Sequence, residues 1–329
     1  MIPSKELFDM KYMKQTNKYF NRCNLYLMSN GITLRDYQKT GVKWMIQREL
    51  RKQNTLNDTD ICKTMNKVRG GLLCDEMGLG KTIQTISVIL SRTLPKKKTL
   101  IILPCSVLIQ WKQEFRKFAP KLNVIVHHGK TKIKTFETER FQSAHVVLTT
   151  YNMVYNRQGT NTILHERKWG RVILDECHYI RNSNSKRHIG CCKLKAKCKW
   201  GLTGTPIQNY KKDLYSIFKF IGLFKGFVDK NLEILRDTYI LRRSKKELET
   251  IDSSLKLPEK VVEYVELPFA TEYEKNFYKK VREGILRELR AFAGFGNVNI
   301  TEILEHIMRL RQATIHPQLV IDGYSRKYN

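Results

Sequence analysis

Gly71-Leu-Leu-Cys-Asp-Glu-Met-Gly-Leu-Gly-Lys-Thr82 is the stretch on which the reading of this chain turns. Gly71–Cys74 has the apolar character of a buried strand. It runs into Gly78, Gly80, Lys81 and Thr82, and then into the helical pattern Ile83–Leu90. Glycines let main-chain N–H groups wrap around phosphate oxygens, and a helix N-terminus adds a field that favours anions. In such a turn Lys81 would reach the β- and γ-phosphates, and Thr82 would set its hydroxyl on Mg²⁺. The strict phosphate-loop pattern asks for glycine at position 75, where this chain has Asp75. The competing reading is a tight strand–helix turn that carries a lysine by chance.

A second element lies about 100 residues downstream. In Val172-Ile-Leu-Asp-Glu-Cys-His178 an apolar strand ends in two consecutive acids. Asp175 is placed to hold Mg²⁺, directly or through water, and Glu176 to orient and deprotonate an attacking water. Two acids at a strand end could instead cap the next helix. The pairing with a phosphate loop favours the catalytic reading.

Outward from these two elements, short apolar runs alternate with helical patterns over residues 70–222. The expected strands are Gly71–Cys74, Leu100–Leu103, Val124–His127, Val146–Thr149, Val172–Leu174 and Trp200–Leu202. Lys81–Ser91, Val107–Phe118 and Lys186–Leu194 read as helices between them. This alternation predicts an α/β fold, a parallel sheet with helices on both faces, whose ligands bind at the carboxyl ends of the strands. Beyond about residue 222, Lys230–Leu248, Glu272–Phe292 and Ile300–Ala313 read as amphipathic helices, with a short strand-like run at Val261–Leu267. Asn54–Asp60 reads as a surface loop. The domains expected are an N-terminal extension over 1–30, an ATP-binding lobe over 31–222, and a mainly helical appendage over 223–329.

Composition narrows the partners. Sixty Lys and Arg stand against 31 acids, a formal net charge of +29. Such a chain repels itself unless it works beside a polyanion, and nucleic acid is the first candidate. The sequence has no apolar run of membrane-spanning length and no signal-peptide core. Eight scattered cysteines without a CxxC pair predict a reducing compartment, without disulfides or structural zinc. Trp44, Trp111 and Trp200 lie in apolar patterns and read as core aromatics.

With these motifs in place, the chain resembles the Snf2 family of superfamily 2 helicase-like ATPases. Asp75-Glu-Met-Gly-Leu-Gly-Lys-Thr82 is similar to that family's motif I, including its non-glycine start. Asp175-Glu-Cys-His178 resembles motif II, and Trp200-Gly-Leu-Thr-Gly-Thr-Pro-Ile-Gln-Asn209 resembles motif III almost letter for letter. Leu34–Trp44 resembles the segment whose glutamine reads adenine, Ile102–Trp111 resembles motif Ia, and Leu148–Tyr151 resembles the next block. Leu241-Arg-Arg-Ser-Lys245 resembles the family's linker, and Leu310-Arg-Gln with His316-Pro317 resembles the block before a second lobe. The detail is nearest to the branch of helicase-like transcription factors and transcription termination factors, with viral global transactivators alongside.

The resemblance implies a RecA-like fold and the cofactors ATP and Mg²⁺. It implies nucleotide contacts along Asp75, Glu76, Met77, Gly78, Leu79, Gly80, Lys81 and Thr82, and at Gln38 to adenine. Lys81, Asp175 and Glu176 would be catalytic, and Thr82 and Asp175 would hold the metal. His178, Thr203, Gly204 and Thr205 would couple the ATP site to DNA. Gln110, Lys112, Tyr151 and Asn152 are the implied contacts to the DNA backbone. Arg242, Arg243 and Lys245 would contact DNA or brace the lobes. Double-stranded DNA or chromatin is the implied partner, with weak sequence preference, no membrane, and a nuclear location (the host nucleus for a viral member). Motors of this family use two lobes, the second supplying arginines worth roughly 10³–10⁵ in rate. No such block is legible before Asn329, so the chain by itself is expected to hydrolyse ATP poorly. The alternatives are a DNA-binding transcriptional regulator that kept the fold, and an RNA-sensing helicase. The last shares Asp-Glu-Cys-His, but its motifs I and III differ.

Overall fold

The computed structural model describes residues 4–50, 64–65, 67–92, 98–155, 159, 161–204, 211–250, 252, 261–294 and 300–328. The expected loop Asn54–Asp60 lies outside them. The described residues divide into two compact units, Met1–Leu257 and Pro258–Asn329.

The first unit is built on a parallel sheet of seven strands in the order β3-β4-β2-β5-β6-β1-β7. The strands are β1 (Gly70–Leu73), β2 (Thr99–Leu103), β3 (Val124–His127), β4 (Val146–Thr150), β5 (Trp169–Asp175), β6 (Ala196–Leu202) and β7 (Ile240–Leu241). The helices are α1 (Ser4–Met28), α2 (Asp36–Leu50), α3 (Lys81–Ser91), α4 (Leu108–Phe118), α5 (Glu139–Gln142), α6 (Lys186–Lys193), α7 (Lys211–Ile221), α8 (Lys225–Tyr239) and α9 (Lys245–Glu249).

Near-continuous apolar strands exist because both faces of the sheet are covered. Strand periodicity divides their side chains between two cores. Leu72, Leu100, Ile102, Val147, Val172 and Leu174 face one core, with residues of α6, α7 and α8. Leu73, Ile101, Leu103, Val146, Leu148 and Ile173 face the other, with residues of α1 to α4. On α1, Phe20, Cys23 and Leu27 fall at helical spacing and are buried in that second core. A buried ion pair ties α2 to the sheet. Arg171 donates Nε and Nη2 to Glu49 at 2.5 and 2.6 Å, and the Trp200 indole donates to the same carboxylate at 3.1 Å.

Two expectations are corrected. Lys230–Leu248 is not one helix, because Ile240–Leu241 leaves the helical path and adds β7 to the sheet beside β1. An edge strand that completes the sheet outweighs the amphipathic pattern of its flanks. Val261–Leu267 forms no strand, and Val261, Tyr264 and Leu267 are exposed.

The second unit contains α10 (Glu272–Gly294), α11 (Ile300–Ala313) and α12 (Pro317–Tyr328), which pack on one another. Ile285, Ala313 and Val320 are buried in this unit, and Arg309 donates to the Gly323 carbonyl at 3.1 Å.

Candidate nucleotide site

The turn after β1 leads straight into α3. Gly78 and Gly80 have φ of 90° and 78°, the left-handed region that side chains resist. A Cβ on Gly80 would stand 2.5 Å from Gln38 Nε2, the far end of a side chain that would have to shift, so the left-handed dihedral is the main reason for glycine there. Gly80 takes the N-cap position of α3 with no side-chain cap, which leaves the first N–H groups of the helix facing the turn. Lys81 bends back across it and donates Nζ to the Asp75 carbonyl at 2.8 Å.

Asp175 and Glu176 end β5, two strands from β1, with β6 between. A cleft of about 400 Å³ joins the two motifs, lined by Gly78, Gly80, Lys81, Thr82, Gln110, Trp111, Asp175 and Glu176 among others. Burial pushes the Asp175 carboxyl up to about 6, against the pull of the Trp111 indole, which donates to its Oδ2 at 2.7 Å. Glu176 has the left-handed φ of 51°, costly for a side chain and typical of a functional turn. Tyr151 holds this turn from below, its hydroxyl donating to the Asp175 carbonyl at 2.7 Å. The Glu176 carboxylate does not cap the short helix that follows. It lies 3.1 Å from His178 Nδ1 and accepts from the Thr203 hydroxyl at 3.4 Å, and the His178 contact is the first cause that holds its pKa below the ordinary carboxylate range. Thr203, at the end of β6, also donates its N–H to the Leu73 carbonyl at 3.2 Å. It therefore touches both halves of the site. Gly204 sits beside the loop, where a Cβ would come 2.9 Å from Met77 Cγ. Thr205 lies outside the described residues.

Gln38 is buried against the loop. Its Oε1 accepts the Arg35 N–H at 3.0 Å, and its Nε2 donates to the Leu79 carbonyl at 3.4 Å. Leu79 packs with Tyr37 and Leu248. A hollow of about 450 Å³ opens next to Gln38, lined by Thr33, Arg35, Tyr37 and Leu248 among others.

Several sequence-based assignments change. Asp75 is fully buried and Arg243 donates to both its oxygens, so the Asp75 side chain cannot touch a ligand, and the Arg243 guanidinium braces the loop rather than DNA. Lys245 lies by the loop, its ammonium 3.5 Å from where a Gly78 Cβ would stand. Tyr151 is 97% covered and stacks on Tyr179 with ring centroids 5.2 Å apart, so it supports the acid pair instead of meeting DNA. Gln110 opens onto the cleft between the two motifs, one position before Trp111 on α4. Glu76, Met77, Asn152 and Arg242 are exposed. Lys112 lines a hollow of about 480 Å³ with Arg116 and Lys121. A further basic hollow of about 620 Å³, lined by Arg181, Lys186, Arg187, Tyr155 and Tyr179 among others, follows the acid pair.

The reading from sequence missed the hydrogen bonds of Trp111 and Gln84. A polar Gln84 among the apolar residues of α3 was the available signal for the second. Nothing in the sequence distinguishes Trp111 from a packing aromatic.

A phosphate loop and an acid pair at the carboxyl edge of one parallel sheet define a nucleotide-binding lobe of RecA-like type. The SNF2-related domain family matches residues 37–227, and the chain belongs to it. The Drosophila melanogaster transcription termination factor 2 is 30% identical over 76% of this chain and 27% of its own length. The probable global transactivator of Orgyia pseudotsugata multicapsid polyhedrosis virus is 31% identical over 87% of this chain and 56% of its own. The Sulfolobus solfataricus SWI2/SNF2 ATPase core, solved in complex with double-stranded DNA, superposes with a TM-score of 0.53 at 29% identity, over 88% of this chain and 59% of that one. The chain thus spans between a quarter and three-fifths of these relatives.

Proposed function

We propose that this chain is the ATP-binding lobe of a Snf2-type DNA-dependent ATPase that acts on protein–DNA complexes and affects transcription. The observation that carries the reading is the single cleft on which Gly78, Gly80, Lys81 and Thr82 meet Asp175 and Glu176. The uncapped N-terminus of α3 and two left-handed glycines suit a polyphosphate. The Thr82 hydroxyl and the Asp175 carboxylate suit a hard, oxygen-seeking cation such as Mg²⁺, which when bound would neutralise charge on the phosphates. In this reading Lys81 stays on the phosphates as they carry developing charge. Glu176, whose ionised form the His178 contact favours, orients the attacking water and takes its proton at a carboxylate oxygen. Thr203 and His178, both touching Glu176, transmit the state of the cleft to the motif beyond β6.

DNA is the proposed partner because of the formal charge of +29 and the two basic hollows. Contacts to phosphates give affinity without sequence preference. The test is DNA-stimulated phosphate release with and without Lys81→Ala. Release that rises with duplex DNA and disappears in the variant supports the motor reading. DNA binding and regulation that survive Lys81→Ala, with no release in either protein, would favour a regulator that kept the fold.

A further inference from the structure

Position 75 departs from the strict phosphate-loop pattern, and its carboxylate is wholly buried. It accepts from Arg243 Nε at 2.9 Å, from Arg243 Nη2, and from Gln84 Nε2 at 3.1 Å. Arg243 also donates to the Tyr37 carbonyl, and its Nη2 to Gln84 Oε1 at 3.1 Å. Four separate pieces of chain therefore meet at one buried charge pair: the start of α2, the loop, α3, and the segment that follows β7.

The main chain repeats the attachment. The Cys74 N–H donates to the Leu241 carbonyl at 2.6 Å and the Glu76 N–H to the Arg243 carbonyl at 3.0 Å. The Lys245 N–H donates to the Glu76 carboxylate at 2.8 Å. Residues 241–245 thus run alongside residues 74–76 for the whole first half of the loop. The carbonyl that receives the Lys81 ammonium belongs to Asp75, the residue that Arg243 pins.

An anion site made of main-chain N–H groups binds well only when those groups already converge, since ordering them on binding subtracts from affinity. Two glycines make this loop pliable, so something outside it must hold it. A buried ion pair is a weak source of net stability, yet it can select one arrangement.

We propose that Arg243 is a positioning residue for the nucleotide site, acting through Asp75. The segment Leu241–Lys245 then makes nucleotide affinity depend on the path of the chain leaving the sheet. This rests on the ATP-binding reading above.

The test measures Mg·ATP affinity and thermal melting of the full chain. Asp75→Ala with Arg243→Met removes both charges and leaves no lone buried ion. It is expected to raise the Kd about tenfold or more, a loss of preorganisation rather than of contact. Arg243→Lys keeps the positive charge but cannot form the two-pronged pair, and is expected to raise the Kd about threefold. Glu49→Gln with Arg171→Met breaks a comparable buried pair away from the loop. It should lower the melting temperature and leave the Kd within about twofold of the parent. The inference is overturned if either brace variant binds like the parent, or if the Glu49–Arg171 variant weakens binding equally. No uptake by the parent chain would overturn the ATP-site reading and this inference together. Uptake by the parent with unchanged brace variants would overturn this inference alone.

Discussion

Trp111 shows what a single residue contributes. Its ring is buried in the core as its apolar surroundings predict, yet its indole N–H reaches Asp175 at 2.7 Å. Burial raises the pKa of Asp175 and the indole opposes this, so Trp111 favours the ionised form a cation needs. Trp111→Phe keeps the packing and deletes the donor. It should weaken Mg²⁺-dependent nucleotide binding at neutral pH by about tenfold, the worth of one hydrogen bond to a charged group, with little change in melting. Calorimetry on the two proteins checks this. Gly80→Ala adds a Cβ 2.5 Å from Gln38 Nε2 at a left-handed φ, and nucleotide binding should fall below detection in the same assay. Gly78, Gly80, Lys81 and Thr82 were legible because their demands are local, a sharp turn and a helix start within five residues. The partners of Asp75 and Asp175 were not. Arg243 lies 168 positions from Asp75, and Trp111 lies 64 from Asp175, so only the fold brings them together.

At the scale of elements, the strands were legible from their unbroken apolar runs, and α3 from the glycines before it. β7 was not, because its two apolar residues lie between charged helical flanks and gain their meaning only from the neighbouring β1. The carboxyl end of β3 supplies a pH dependence. His127 is buried, and its Nδ1 accepts the Ile133 N–H at 2.8 Å. Burial, then the charges of Lys132, Arg140 and His128, press its pKa from 6.5 down to about 4. The folded form therefore binds fewer protons than the unfolded one between these values. The stability this group confers is complete above 6.5 and is lost as pH falls from 6.5 towards 4, by roughly 3 kcal/mol in total. Denaturant unfolding at pH 7.5 and 4.5 should show that loss, and His127→Gln should flatten it.

Across the whole molecule, the sheet is anchored by Arg171 and Glu49, whose side chains are 1% and 2% exposed. Removing one partner alone strands a buried charge, so Arg171→Met should cost about 3–5 kcal/mol in equilibrium unfolding. The net charge of +29 acts at longer range. If DNA is held through phosphates, the logarithm of affinity should fall linearly with the logarithm of salt, with a slope near 0.9 per phosphate engaged. Replacing Lys112, Arg116 and Lys121 by glutamine should reduce that slope in a fluorescence titration. The family was readable from its motifs and the parallel sheet from the alternation of strands and helices, whereas the basic hollows were not, since the sequence does not show which of its many lysines and arginines line a concave surface.

The central claim is that the turn after β1 and the acids at the end of β5 form one nucleotide site. Titrating Mg·ATP into the full chain by calorimetry tests it most directly. The account predicts saturable uptake by the parent protein that is lost in both Lys81→Ala and Asp175→Asn, while each variant keeps its fold. Heat of binding that is absent at millimolar nucleotide, or that persists unchanged in both variants, would contradict it.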